Sequence, residues 1–186
     1  MTLDASFEPS RDNNRRTRQA VRIHITGASG SGTSTLGRAL AASLGGTHLE
    51  SDDYFWLPTS PPYREKRDKQ ERLKTLTEDL NSARVPVLAG SIVGWGREVE
   101  DGFDVIVFLH IDPIIRLERL EKREIARFGQ IDPEFLAWAA RYDTGPTDMR
   151  SLAMHREWLA QRDCRVIRLV GDMSVEERVA RVLEGI

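Results

Sequence analysis

Short apolar runs alternate with longer, more polar stretches along this chain. The five runs read VRIHI, THLE, VPVLA, DVIVFLHI and RVIRLV. Each run has the length of a buried strand, and the intervals between them are long enough for crossover helices. The alternation predicts one α/β domain in which helices cover both faces of a parallel sheet.

Two helix starts are marked by capping residues. Asp112 followed by Pro113 opens the stretch DPIIRLERLEKREIARFG, where aspartate can cap the helix and proline suits its first turn. Ser174 and Glu177 form a capping-box pattern before the last stretch of the chain. Between these two helices, the segment 132–162 predicts two further helices around a Gly-Pro turn.

Composition narrows the classes of function. The 186 residues include 27 lysines and arginines against 29 aspartates and glutamates, so the net charge of −2 gives no general reason to expect nucleic-acid binding. The single cysteine, Cys164, cannot form an internal disulfide, and no apolar run approaches the roughly 20 residues that span a bilayer. We therefore expect a cytoplasmic protein without a membrane partner. Residues 1–20 lack apolar periodicity and are interpreted as a mobile leader before a domain at 21–186.

A glycine-rich turn follows the first predicted strand and precedes a helical pattern. Backbone N–H groups in such a turn, together with the helix N-terminus, form a site for phosphate. The pattern G-x-x-x-x-G-K-[ST] fits from Gly27 to Ser34, except that Thr33 stands in place of the lysine. Ser34 falls where a hydroxyl ligates Mg²⁺. The predicted phosphate-binding residues are Gly27, Ala28, Ser29, Gly30, Ser31, Gly32, Thr33, Ser34 and Thr35.

Two other interpretations of this turn remain open. A dinucleotide-binding turn of a reductase would use Asp52, about 20 residues beyond the last glycine, as its ribose partner. The G-x-G-x-x-G pattern of such a turn is not met, because Thr35 stands in the place of the third glycine. The chain also contains no Tyr-x-x-x-Lys pair, which short-chain reductases carry. The third interpretation is a turn that serves only close strand–helix packing.

The order of these motifs resembles the small P-loop kinases, the nucleoside and nucleotide monophosphate kinase superfamily that includes adenylate-kinase-like proteins. The resemblance implies a three-layer P-loop NTPase fold with a five-stranded parallel sheet and a short helical lid at about 112–160. It also implies that the protein uses ATP and Mg²⁺ to phosphorylate a small-molecule acceptor. Because Thr33 replaces the lysine, a non-catalytic nucleotide-binding module is the alternative.

An acidic pair follows the second predicted strand, at the sheet edge where ligands bind in open parallel sheets. Asp52-Asp53-Tyr54-Phe55 is similar to the stretch that supplies the base in uridine-kinase-like and nicotinamide-riboside-kinase-like enzymes. The resemblance implies that Asp52 is the base and a Mg²⁺ neighbour, and capping of a short helix is the equal alternative. Candidates on the acceptor side are Asp53, Tyr54, Arg64, Ser91, Trp95 and Arg97.

Four arginines, Arg116, Arg119, Arg123 and Arg127, are spaced to share one helix face. The stretch from Arg119 to Arg123 is similar to the lid start of adenylate-kinase-like enzymes, which implies that these two clamp the transferred phosphoryl group. A solvated face with glutamate partners is the alternative. Further candidates are Arg141 and Arg150 for phosphate or substrate and Gly171 for the nucleotide base, while Phe135, Leu136, Trp138 and Ala139 are interpreted as packing.

Overall fold

A computed structural model describes residues 21–186, so the leader predicted at 1–20 lies outside the described residues. The strands are β1 (Ile23–Gly27), β2 (Thr47–Glu50), β3 (Pro86–Ala89), β4 (Val105–His110) and β5 (Arg165–Val170). They form one sheet in the order β2-β3-β1-β4-β5, and every neighbouring pair is parallel. The predicted α/β fold with a five-stranded parallel sheet is confirmed.

Helices connect and flank these strands. They are α1 (Thr33–Leu44), α2 (Ser51–Phe55), α3 (Lys69–Ser82), α4 (Arg97–Glu100), α5 (Pro113–Phe128), α6 (Pro133–Ala140), α7 (Leu152–Ala160) and α8 (Val175–Glu184). Both predicted helix starts are confirmed: Asp112 accepts a hydrogen bond from the backbone N–H of Ile114, and Ser174 with Glu177 forms the full capping box. The helices α6 and α7 lie on either side of the Gly-Pro turn, as expected.

The sheet separates two hydrophobic layers. On one side, β1 buries Ile23 and Ile25 against Leu36 and Leu40 of α1, and Val182 of α8 joins the same cluster. The cluster on the other side contains Leu76, Leu80, Trp95, Val99, Phe108, Trp158 and Leu159. Both faces of the sheet are therefore covered, which is the usual arrangement for parallel strands.

Two histidines are buried without charge on the second side of the sheet. His155 hydrogen-bonds with the Tyr142 hydroxyl at 2.7 Å and lies 3.4 Å from the Thr26 hydroxyl. Burial lowers the pKa of His155 to about 3, and the positive charge of Arg150 adds to that shift. Burial also lowers the pKa of His24 to about 4. Both imidazoles are therefore neutral at physiological pH.

Because all five strands are parallel, their carboxyl ends meet at one edge of the sheet. This is the ligand edge, since ligands of open parallel sheets bind outside the carboxyl ends of the strands. The loops after β1, β2, β3, β4 and β5 leave from this edge. Within residues 21–186, no helix combines the length and apolar character needed to cross a bilayer.

Candidate nucleotide and acceptor site

The glycine loop between β1 and α1 has a backbone that side chains would disturb. Gly30 and Gly32 have φ angles of 87° and 95°. A Cβ atom on Gly30 would lie 2.6 Å from the Arg116 carbonyl oxygen, and one on Gly27 would lie 2.6 Å from that of Leu109. The loop then leads directly into α1 at Thr33, so backbone N–H groups at the helix start are positioned for an anion.

The hydroxyl of Ser34, the predicted Mg²⁺ ligand, donates a hydrogen bond of 3.0 Å to Glu50 at the end of β2. Burial raises the pKa of Glu50, while this hydrogen bond and the charge of Arg38 oppose that shift. The negative charges of Asp52 and Asp53 raise the same pKa further. Sequence reasoning missed Glu50, although a carboxylate as the last residue of a strand at the ligand edge was a usable signal.

A cavity of about 310 Å³ opens beside Asp52. Its walls are formed by Asp52, Phe55, Trp56, Ser91, Val93, Trp95, Trp138, Arg150 and Met154. This volume is near the lower end for small-molecule sites, and the mixture of aromatic walls with a few polar groups is typical of them. The structure therefore brings together four of the predicted residues, namely Asp52, Ser91, Trp95 and Arg150.

Arg150 lies close enough to Asp52 for their charges to interact. Burial lowers the pKa of Arg150, and the negative charge of Asp52 opposes that shift. Within residues 21–186, the buried Nε atom of Arg150 has no hydrogen-bond partner. The cavity wall thus carries a carboxylate, from Asp52, and a guanidinium, from Arg150. Trp138, interpreted from the sequence as packing, also lines this cavity.

Other predicted acceptor residues lie elsewhere. The Tyr54 side chain is buried and its hydroxyl donates to Asp79 of α3 at 2.7 Å, so Phe55 and Trp56 line the cavity instead. Arg64 is exposed on the segment before α3. Arg97 of α4 pairs with Asp101, the residue after that helix, and borders a second groove of about 590 Å³.

The predicted lid-start arginines have different surroundings. Arg119 reaches across to Asp172 in the loop after β5, with 2.6 Å between nitrogen and oxygen. Arg123 pairs with its neighbour Glu124, and its side chain is half exposed. Arg141 is exposed and begins the 3₁₀ helix Arg141–Asp143, which follows α6. Among contacts within residues 21–186, the Arg119 pair is the one of these three that ties α5 to another loop of the ligand edge.

Arg116 is fully buried, with only 1% of the residue exposed. Its guanidinium donates to the Ser29 carbonyl at 3.3 Å, to the Ala139 carbonyl at 3.1 Å and to Asp143 at 3.0 Å. It also lies 5.3 Å from the centre of the Tyr142 ring. Arg116 therefore joins the glycine loop to α6 and the turn that follows it.

Gly171, the predicted contact of the nucleotide base, has a φ angle of 98°, and among residues 21–186 a Cβ atom added there would meet nothing within 4 Å except its own chain neighbours. Its N–H donates to the His110 carbonyl at the end of β4. The next residue, Asp172, carries the ion pair with Arg119. Open space beside a glycine and next to an arginine fits a planar base, although that role stays a prediction.

A cation unforeseen from the sequence lies against the glycine loop. Arg178 of α8 donates from Nη1 to the Ser31 carbonyl at 2.9 Å. The same nitrogen lies 3.0 Å from the position of a Cβ atom on Gly32. No linear motif could indicate this contact, because Arg178 is separated from Ser31 by 147 positions.

In the part of the chain that the structure describes, no group of three or more His, Cys, Asp and Glu side chains is arranged to hold a metal ion. The pair Ser34 and Glu50 nevertheless offers two oxygen ligands beside the glycine loop. Mg²⁺ commonly takes one or two protein oxygens and completes its coordination with water and phosphate oxygens. The residues present therefore fit Mg²⁺ when it accompanies a phosphate ligand.

Comparison with known proteins agrees with this architecture. YqaC of Bacillus subtilis (strain 168), an uncharacterized protein, is 44% identical over 172 residues, which cover 87% of this chain and 95% of YqaC. A gluconokinase from Sinorhizobium meliloti 1021 is 24% identical with a TM-score of 0.54, covering 89% of this chain and 90% of that chain. A shikimate kinase from Acinetobacter baumannii, in complex with shikimate, is 18% identical with a TM-score of 0.57, covering 89% of this chain and 92% of that chain. These two solved structures share its fold.

The profile of the AAA domain family matches residues 23–133, from β1 through the glycine loop to the start of α6. The match includes Thr33 in the lysine position and both carboxylates after β2. It covers more than half of the chain. The chain therefore belongs to the AAA domain family of P-loop proteins.

Proposed function

We propose that this protein is an ATP- and Mg²⁺-dependent phosphotransferase that phosphorylates a hydroxyl group of a small anionic molecule. One observation carries the proposal: the hydrogen bond between Ser34 and Glu50 joins the glycine loop to the strand end that leads into Asp52 and its cavity. This bond supports a donor phosphate site next to an acceptor site in the cavity. The fold shared with a gluconokinase and a shikimate kinase supports the same class of reaction.

The acceptor hydroxyl oxygen attacks the γ-phosphorus of ATP and forms a new P–O bond. The bond between the γ-phosphorus and the β,γ-bridging oxygen breaks, and ADP leaves with that oxygen. Asp52, which lines the cavity, takes the hydroxyl proton as general base. The glycine loop holds the donor phosphates through backbone N–H groups.

Mg²⁺, when bound with the nucleotide, supplies charge neutralisation for the phosphate oxygens. Ser34 and Glu50 are the residues that would hold it. The raised pKa of Glu50, beside Asp52 and Asp53, reflects partly buried negative charge that a cation would stabilise.

The cavity supports an acceptor with two chemical features. Its aromatic walls, which include Phe55, Trp56 and Trp138, suit an apolar face or ring of the acceptor. The guanidinium of Arg150 on the cavity wall suits a carboxylate or phosphate, because guanidinium binds such groups through paired hydrogen bonds. Adenylate-kinase-like activity is the version of this proposal in which the acceptor is AMP.

The test is ADP formation with ATP, Mg²⁺ and a panel of acceptors: AMP, nucleosides, gluconate, shikimate and neutral sugars. We expect turnover with an anionic acceptor. Replacing Arg150 by methionine should raise KM for that acceptor about tenfold or more, because a charge-assisted hydrogen bond contributes about 1.5 to 3 kcal/mol. The matched control is Arg156→Met, an exposed arginine of α7.

A second candidate function follows from Thr33. A loop without its lysine is also compatible with a nucleotide-binding module that does no chemistry. Binding of ATP without ADP formation across the whole panel would favour that module and contradict the phosphotransferase. Equal thermal stabilisation by NAD and by ATP would instead contradict the nucleotide assignment itself.

A further inference from the structure

We propose that Arg178 supplies, from the C-terminal helix, the positive charge that the glycine loop lacks at Thr33. The inference rests on the proposed nucleotide site and adds a residue to it. Arg178 would bind the donor phosphates in the place of the loop lysine. This role is distinct from that implied for Arg119 and Arg123, which are expected to clamp the transferred phosphoryl group.

The position of Arg178 places its charge at the turn just before Thr33. Its Nη1 donates to the Ser31 carbonyl at 2.9 Å and lies beside Gly32. Only 4% of Arg178 is exposed, so its charge is little screened by solvent. A side chain at position 32 would press against the guanidinium. Glycine is therefore favoured at this position by the contact with Arg178 as well as by its positive φ angle.

The guanidinium of Arg178 is not neutralised by the protein. Among residues 21–186, no carboxylate forms an ion pair with it. The acidic residue nearby, Asp172, is already paired with Arg119 at 2.6 Å. Among the described residues 21–186, the buried Nε and Nη2 atoms of Arg178 have no hydrogen-bond partner. Burying an unpaired positive charge is costly, and an anionic ligand at the loop would neutralise it.

The helix that carries Arg178 is held in place independently of any ligand. The capping box of Ser174 and Glu177 fixes its first turn. Val182, one turn further on, is fully buried in the cluster that contains Leu36 and Leu40 of α1. Arg178 is therefore presented to the loop by two packed helices rather than by a mobile segment.

The experiment measures binding rather than turnover. Calorimetry with Mg²⁺ compares three ligands, inorganic triphosphate, ATP and adenosine, on the full chain. The single variants are Arg178→Gln, Arg178→Lys and Thr33→Lys, and the double variant combines Thr33→Lys with Arg178→Gln. Glutamine at position 178 keeps a hydrogen-bond donor for the Ser31 carbonyl. The matched control is Arg181→Gln, which removes an exposed arginine from the same helix.

We expect Arg178→Gln to weaken triphosphate and ATP about 10- to 100-fold, as loss of a charge-assisted hydrogen bond predicts, and to leave adenosine unchanged. Thr33→Lys should restore most of the lost affinity in the double variant, because both cations act on the same phosphates. Arg178→Lys, which keeps the charge without the planar fork, should lose less than Arg178→Gln. Arg181→Gln should match the wild type.

Three results would overturn the inference. Unchanged triphosphate affinity in Arg178→Gln, with ATP still bound, would exclude the role of Arg178 and leave the proposed function standing. An equal loss for all three ligands, with no restoration by Thr33→Lys, would make Arg178 a structural support of the loop. Failure of the wild type to bind ATP or triphosphate would remove the proposed function together with the inference.

If Arg178→Gln does not fold, the Arg178→Lys variant decides the question. Wild-type affinity for adenosine with weakened triphosphate binding supports the role of Arg178, and unchanged triphosphate binding excludes it.

Discussion

Asp52 and Asp53 are neighbours in the first turn of α2, yet only Asp52 lines the cavity. Asp52→Asn should lower kcat by about 10² to 10⁴-fold, because the amide cannot accept the acceptor's proton in the transition state. Asp53→Asn serves as the matched control and should stay within a few-fold of the wild type. Steady-state kinetics, with ATP affinity measured separately, distinguishes lost chemistry from lost binding. A larger loss in Asp53→Asn would transfer the role to that residue.

The residues of the site were predictable to different degrees. The glycine loop and Asp52 follow strand ends in the sequence, so their positions at the ligand edge could be inferred from local order alone. Arg178 could not, since its contact with Ser31 depends on how α8 packs against α1. The place of the Tyr54 side chain depends on packing in the same way, because the short helix α2 directs its hydroxyl to Asp79 of α3.

At the scale of elements, Arg116 connects the glycine loop with α6 and the 3₁₀ turn. Arg116→Leu should lower the free energy of unfolding by about 3 to 5 kcal/mol, because it removes one partner of a buried ion pair and the donor to two carbonyl groups, while Asp143 keeps His110 as a partner. Urea unfolding measures the change. The control Lys122→Leu alters an exposed cation of the same helix and should change stability by about 0.5 kcal/mol or less. Equal effects of the two variants would contradict this role of Arg116.

The arrangement of elements was predictable where local signals coincide. Capping residues marked the starts of α5 and α8, and each apolar run became a strand within two residues of its predicted ends. The segment predicted as a lid was less predictable, because the sequence indicates two helices around a turn but not the surfaces that they cover. Trp138 of α6 shows the difference, since its apolar neighbours suggested packing while the fold places it on the cavity wall.

At the scale of the whole molecule, buried neutral histidines link stability to pH. An unfolded chain protonates histidine near pH 6.5, whereas folded His155 has a pKa of about 3. Between these values the unfolded state binds the extra proton, so stability falls as pH decreases from 6.5. His155 alone contributes a slope of about 1.4 kcal/mol per pH unit.

His155→Gln tests this linkage. The variant should lower stability at pH 7, and its loss of stability between pH 6 and pH 5 should be smaller than that of the wild type by about 1.2 kcal/mol, because the unfolded histidine is already partly protonated at pH 6. Urea unfolding at the two pH values gives both quantities. His24 remains in the variant, so part of the pH dependence of stability persists. Identical slopes in the two proteins would show that His155 is protonated in the folded state.

The most direct test of the account is phosphorus NMR of one reaction containing the protein, ATP, Mg²⁺ and the anionic acceptors. If the protein transfers the phosphoryl group, the γ-phosphate signal of ATP declines while ADP and a phosphate ester appear in equal amounts. Asp52→Asn should then slow the decline of ATP and the growth of the phosphate ester together. Persistence of intact ATP, in a sample where calorimetry shows the nucleotide bound, would contradict phosphoryl transfer by this protein.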